Sequence, residues 1–170
     1  TETTDENLMV MHQQGDATAF EELVRRYAQP LLRYLARMTG FHQAEDLFQE
    51  TFVKVHVKAH LFQTEKKFKS WLYAIATHLA LDFLRKKSRT PFAVSLNETT
   101  DEKLPLANRL ADTTPNPAQL LIHEDTKKQI LDAIEQLPPR QRSTFLLAYY
   151  EGLSYPEIAR ALGCSVSTVK

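Results

Sequence analysis

Three stretches of this chain repeat their apolar residues every three or four positions, which commits most of it to helix. Phe20, Leu23, Val24, Tyr27, Leu31, Leu35 and Met38 form the first set. Ala44, Leu47, Phe48, Thr51, Phe52, Val55, Ala59 and Phe62 form the second, and Phe68, Trp71, Leu72, Ile75, Ala76, Leu79 and Phe83 the third. At ~3.6 residues per turn each set lines one side of a helix. Asp16 is placed to cap the first helix and Gly40 to end it. Pro30 lies inside that helix and removes a backbone donor, so a kink or break is expected there. A shorter helix around Glu6–Gln14 precedes the three, and together they predict a bundle ending near Lys87. With only 4 glycines in 170 residues, a turn-rich all-β alternative has too few turn formers.

Past the bundle the period fails. Residues 89–117 carry Pro91, Pro105, Pro115 and Pro117 among scattered Asn, Asp and Thr, the composition of a linker. Helical signals return from Ala118 to about Glu135, and Pro138–Pro139 open another helix through about Tyr150. Ser154 and Glu157 fit the S-x-x-E capping box of a following helix. Gly163 is placed to end that helix, and Ser165 to cap one more. The expected architecture is all-α, with an N-terminal helical bundle (1–88), a flexible linker (89–117) and a small C-terminal helix-turn-helix domain (118–170).

The formal charge is zero, with 21 basic and 21 acidic residues, yet the charges are segregated. Between Thr51 and Thr90, Lys54, Lys58, Lys66, Lys67, Lys69, Arg85, Lys86, Lys87 and Arg89 face only Glu65 and Asp82. Residues 1–50 reverse the balance, nine acidic against four basic. Opposed blocks suit surfaces for different partners. The single cysteine, Cys164, excludes an internal disulfide and fits a small buried hydrophobe better than a redox sensor. No stretch approaches the ~20 apolar residues of a membrane span, so no membrane insertion is expected and a cytoplasmic location is the default.

Four motifs carry the chemistry. Ile158, Ala159, Ala161 and Leu162 supply the apolar contacts of a helix-turn-helix, with Val166 and Val169 expected to point back into it. Ser165, Ser167, Thr168 and Lys170 are left for a DNA groove and Arg160 for a phosphate; a helical hairpin without that role has the same pattern. "FQTEKKFKSWLYAIATHLALDFLRKKSR" interleaves cations with aromatics, which suits unpaired nucleic acid, although Phe68, Trp71 and Phe83 also fit a buried stripe. In "HQAEDLFQETF", Asp46, Gln49, Glu50 and Lys54 share one helical side, either solvated decoration or a docking face. His56 and His60 stand at i, i+4, as metal ligands can. They lack both the glutamate of H-E-x-x-H and a third ligand nearby in sequence. No metal, cofactor or catalytic residue is expected, and the chain does not read as an enzyme.

Together these segments resemble the extracytoplasmic-function (ECF, group 4) sigma factors of the sigma-70 family, the specificity subunits of bacterial RNA polymerase. "GDATAFEELVRRY" is similar to the family's opening helix and "AEDLFQETFVKV" to its polymerase-docking segment. "FKSWLYAIATHLALDFLRKKSR" is similar to the promoter-melting segment, and "LPPRQRSTFLLAYYEGLSYPEIARALGCSVSTVK" to the C-terminal helix-turn-helix. The resemblance implies a factor that binds core polymerase, recognises −35 and −10 promoter elements and melts DNA, under control of an anti-sigma factor.

Residue by residue, the resemblance gives Asp46, Gln49, Glu50, Phe52 and Lys54 to the β′ coiled coil, with the β flap a second polymerase contact. It gives Phe62, Gln63, Lys66, Lys67, Phe68, Lys69, Tyr73, His78, Arg85, Lys86 and Lys87 to the −10 element. Of the W-L-Y trio, Trp71 is expected in the core and Tyr73 at the surface. His78 stands where the family often has Asn. Arg160, Ser165, Ser167, Thr168 and Lys170 correspond to readers of the −35 element. The last helix covers only about one and a half turns at ~3.6 residues each, so the expected recognition helix extends past Lys170 and this chain should hold −35 DNA poorly. The acidic linker (Glu98, Asp101, Glu102 and Asp112 against Lys103 and Arg109) is implied to thread a basic polymerase channel. A free-standing helix-turn-helix regulator is the alternative; it would dimerise and bind duplex DNA without polymerase.

Overall fold

The computed structural model describes residues 2–89 and 117–170, the side chains of the second stretch from Glu124 onward. Among these residues all regular structure is helical. The helices are α1 (Asp5–Gln13), α2 (Ala17–Thr39), α3 (Phe41–Val57), a 3₁₀ turn at Ala59–Leu61, α4 (Phe68–Arg89), α5 (Pro117–Glu135), α6 (Pro139–Tyr149), α7 (Tyr155–Leu162) and α8 (Val166–Val169). The linker's predicted path and role lie outside the described residues.

Thr1–Leu84 and Pro138–Lys170 form one compact unit, and Arg85–Leu137 a second that contains the end of α4 and all of α5. In the second unit Ile134 is the buried apolar side chain among the described residues of α5.

In the first unit α2 is the organising helix. Asp16 Oδ1 accepts from the N–H groups of Thr18 and Ala19 at 2.9 and 3.3 Å, and Gly40, at φ 91°, makes the turn into α3. Ala19, Leu23, Tyr27, Leu31, Tyr34, Leu35 and Met38 are all buried along one side. That continuous stripe explains why α2 runs unbroken through Pro30. An internal proline costs a helix ~3 kcal/mol, whereas burying a single Leu or Tyr stabilises by roughly 1.5–3 kcal/mol. α1 is tied across α2 by Arg26, which bridges Asp5 and Glu22 at 2.8 Å each, and by the Tyr27 hydroxyl donating to Asp5. Between α2 and α4 the buried hydroxyls of Tyr34 and Thr77 share a 2.6 Å hydrogen bond.

α3 stops at Val57, five residues before the last member of its apolar period, and the chain tightens into the 3₁₀ turn. That turn rotates Phe62 into the core beside Phe68 and Trp71, with ring centroids 6.0 and 5.2 Å away. His12 at the end of α1 stacks on Phe20 at 4.4 Å, and its Nε2 lies 3.1 Å from His56 Nδ1 on α3. Burial first, and the charge of His56 second, hold the His12 pKa below 6.5, against a raising hydrogen bond at the Asp16 backbone.

The folded state therefore favours neutral His12. Its contribution is present above pH 6.5 and is lost as acid charges the ring. Thermal unfolding between pH 8 and 5 should show the wild-type Tm falling further than that of His12→Gln; equal slopes would remove His12 as the cause.

Candidate nucleic-acid interface

The basic segment entering α4 is held by α1. Gln13 Nε2 donates to the carbonyls of Ala59 and Phe62 at 2.7 and 3.2 Å, fixing the start of the loop. Glu6 Oε1 accepts from the Phe68 N–H at 2.9 Å, which caps the N-terminus of α4 with a carboxylate, the charge that end of a helix favours. Between these anchors Gln63, Lys66 and Lys67 are exposed around a turn closed by Lys66 N–H to Gln63 O at 3.0 Å. Glu6 and Gln13 were not legible as part of this site, because only the fold brings residues that far apart in sequence together.

Burial corrects the aromatic assignments. Phe62, Phe68 and Tyr73 are 6, 0 and 0% exposed, so none presents a ring to an unpaired base. Tyr73 was expected at the surface and Trp71 in the core, but Trp71 is the half-exposed one. A stripe spaced i, i+4 from Phe68 to Leu72 and on to Ala76 turns Tyr73 inward with it. Burial, then the nearby Glu151 carboxylate, push the Tyr73 hydroxyl pKa above its ordinary range. Arg85, Lys86 and Lys87 are exposed near the end of α4.

The remaining polar residues of α4 meet the C-terminal helices. Lys69 Nζ donates to the Glu151 carbonyl at 2.6 Å and lies 3.7 Å from its carboxylate. The Ser70 hydroxyl donates to Glu157 Oε1 at 2.7 Å, with Lys67 Nζ at 3.9 Å. His78 Nε2 donates to the Ala161 carbonyl in the last turn of α7. In the opposite direction Arg142 Nη1 on α6 donates to the Met38 carbonyl at 2.8 Å, and Arg37 lies 4.0 Å over the Tyr150 ring.

α7 has the capping box read from the sequence, with Ser154 N–H donating to Glu157 Oε2 at 2.7 Å. Gly163 closes it in the left-handed region at φ 63°, a conformation glycine adopts without a Cβ clash. Burial would push the Glu157 carboxyl up; hydrogen bonds from Ser154 and Ser70, with Lys67 nearby, hold it below the usual range. Val169 packs inward as expected, whereas Val166 is 38% exposed, because the first residue of so short a helix falls outside its inner side. Ser165 occupies the cap position without a capping bond; its hydroxyl instead contacts those of Ser167 and Thr168 at 2.9 and 2.8 Å. Arg160, Ser165, Ser167, Thr168 and Lys170 are all exposed.

On α3, Asp46, Gln49 and Glu50 are exposed and Lys54 is half-exposed, 3.8 Å from Glu50. Phe52, assigned to the same face, is 6% exposed and belongs to the core. The apolar part of the face is Val53, Val57 and Leu61, each 60% exposed or more. Their signal in the sequence is that they fall outside the core period of α3. His56 is engaged with His12, and His60 Nδ1 lies 3.1 Å from the Val57 carbonyl. No group of three or more His, Cys, Asp or Glu able to hold a metal occurs among the described residues.

Residues 23–90 match the family described as "Sigma-70 region 2", and residues 127–170 "Sigma-70, region 4". The chain is 31% identical over 167 residues to an "ECF RNA polymerase sigma-E factor" of Haemophilus influenzae, covering 98% of this chain and 88% of that protein. The Escherichia coli (strain K12) protein of the same description is also 31% identical, over 98% of this chain and 87% of its own length. Among solved structures, CnrH in complex with the cytosolic domain of CnrY aligns with TM-score 0.65 at 22% identity, over 97% of this chain and 86% of that one. The sigma factor RpoE of Bartonella quintana, in complex with the anti-sigma factor NepR, aligns with TM-score 0.66 at 21% identity, over 88% and 86%. At those identities the two structures support the fold alone. No described helix is long and apolar enough to cross a membrane.

Removing the cap on α4 tests how the loop is held. Glu6→Ala should lower unfolding stability by about 1 kcal/mol, as loss of an N-terminal cap does, measured by urea titration at pH 7. No change would show that Glu6 is not holding α4.

Proposed function

The chain belongs to the sigma-70 family, in its extracytoplasmic-function branch, and on that basis we propose that it is a promoter-specificity subunit of RNA polymerase. The observation that carries this reading is the order of its parts: a region 2 match on the basic bundle, then a region 4 match on the helix-turn-helix. In this reading residues 1–88 dock on core polymerase and open the −10 element. Residues 89–117 connect, and residues 118–170 read the −35 element through Arg160, Ser165, Ser167, Thr168 and Lys170.

The polymerase-docking surface is the outer face of α3, where Asp46, Gln49 and Glu50 flank Val53 and Val57. An exposed apolar strip rimmed by acidic side chains suits a basic, amphipathic partner, here the β′ coiled coil. The β flap is the partner assigned to the C-terminal helices. The −10 strand meets Gln63, Lys66 and Lys67 on the loop and Lys69, His78, Arg85, Lys86 and Lys87 along α4. Extruding a base costs a few kcal/mol. With Phe62, Phe68 and Tyr73 buried, that cost falls to cations on the backbone and polar loop groups on the base edge. An anti-sigma factor is the regulatory partner this reading expects, since two fold relatives were solved in complexes of that kind or with a cytosolic partner domain.

Size-exclusion chromatography with core RNA polymerase at moderate salt decides the reading. Co-elution is expected, and it should be lost in Asp46→Lys/Glu50→Lys. Separate elution of the wild-type chain would overturn it. For the loop, Lys66→Ala/Lys67→Ala should weaken binding of a −10 single strand and flatten its log–log salt dependence by roughly 0.7 per lysine removed; an unchanged slope would take those lysines off the DNA path.

A further inference from the structure

Imidazoles gather where α1 ends against α3. His12, His56 and His60 line one open recess of about 250 Å³ together with Gln13 and Ala59. The pair suggested by spacing alone, His56 and His60, does not share a helix, because α3 stops at Val57. The fold supplies a different pair: His12 Nε2 and His56 Nδ1, 44 residues apart in sequence, stand 3.1 Å from each other. Two nitrogens bound to one zinc ion at ~2.0–2.1 Å each lie roughly 3.3 Å apart at the tetrahedral angle. The spacing therefore suits a shared cation as well as a shared proton. His12 Nδ1 is shut away from solvent, which leaves Nε2 as the nitrogen this ring can offer. Burial favours its neutral form, the form a metal ion requires. His60 Nδ1 lies 3.1 Å from the Val57 carbonyl. A carbonyl only accepts, so the proton sits on Nδ1 and the lone pair on Nε2, the tautomer that a carbonyl behind a ligating histidine selects.

We propose that His12 Nε2 and His56 Nδ1 bind one divalent late transition ion, of the zinc, nickel or copper class, at the junction of α1 and α3. Imidazole nitrogen suits those ions, whereas magnesium and calcium take oxygen ligands. Two protein nitrogens leave the other positions of the ion to water or to His60, which is exposed on the same recess. The ion joins α1 to α3 one residue from Gln13, whose amide holds the Ala59 and Phe62 carbonyls. It thereby reinforces the anchor of the basic loop. It also favours the folded chain, since unfolding separates its two ligands.

The full chain, freed of metal with EDTA and titrated calorimetrically, should take up zinc chloride at this site and no magnesium chloride. His12→Gln and His56→Gln should each weaken zinc uptake about tenfold or more. His56 is exposed, so His56→Gln should keep the wild-type circular dichroism and separate a lost ligand from a lost fold. His42→Gln, at another exposed histidine of α3, should bind zinc as the wild type does. Zinc should raise the Tm of the wild type and of His42→Gln, and leave that of His56→Gln unmoved. Uptake only at millimolar zinc, or uptake that survives both His12→Gln and His56→Gln, would mean an adventitious ion only and overturn the site. Uptake that needs His56 but not His12, with no rise in Tm, would overturn the junction between α1 and α3. Neither polymerase nor DNA enters these measurements, so their failure leaves the sigma-factor reading standing, and failed co-elution leaves the metal site standing.

Discussion

The burial of one stripe on α2 is the constraint from which the rest follows. Leu23, Leu31, Leu35 and Met38 are completely buried and Tyr34 nearly so, and α1, α3 and α6 each pack against the helix that carries them. The stripe carries α2 unbroken through Pro30 as a single helix of 23 residues, about 35 Å at 1.5 Å per residue. Everything functional hangs on that helix. Its N-terminal half holds α1 through Arg26 and Tyr27, and α1 in turn holds the basic loop through Gln13 and Glu6. Its C-terminal end presents the Met38 carbonyl that Arg142 caps.

The helices and their ends were legible in the sequence because they depend on local spacing. Asp16, Gly40, the Ser154–Glu157 box and Gly163 act within a few residues of themselves, so pattern alone located them. The errors share a physical cause. The cost of Pro30 is local and visible in the sequence, whereas the gain from a stripe packed on three neighbours is not. The polar tip of Tyr73 is compatible with the surface, but a hydroxyl close to the Glu151 carboxylate goes inside. Phe62 and Phe68 read equally as stacking platforms or as core, and only the 3₁₀ turn after α3 decides between them.

The candidate site was half legible for a related reason. Composition located the cations of residues 54–89, since a charge block survives any fold. What those cations face was not legible: Glu6 sits 62 residues from Phe68, and Glu157 sits 87 residues from Ser70. The apolar part of the α3 face was missed because Val53 and Val57 were simply left over from the core period. Leftover aliphatic residues beside a row of acids are a usable signal, since a solvated helix face has no need of two valines.

Charge segregation then ties the two halves together. An exposed basic face is screened by mobile ions, so an acidic neighbour is a favourable addition to it and not a condition of its existence. Region 4 fills that position here with two carboxylates and the negative end of α7, all pointing at α4. An ion pair in the open surface is worth at most ~1 kcal/mol, so such a contact can be firm without being permanent. Two nearly buried carboxylates, two borrowed helix caps and the Arg37–Tyr150 stack place its strength above that of a surface pair. The basic face of region 2 and the acidic turn of region 4 are therefore parts of one electrostatic system, in which α4 meets carboxylates of its own chain.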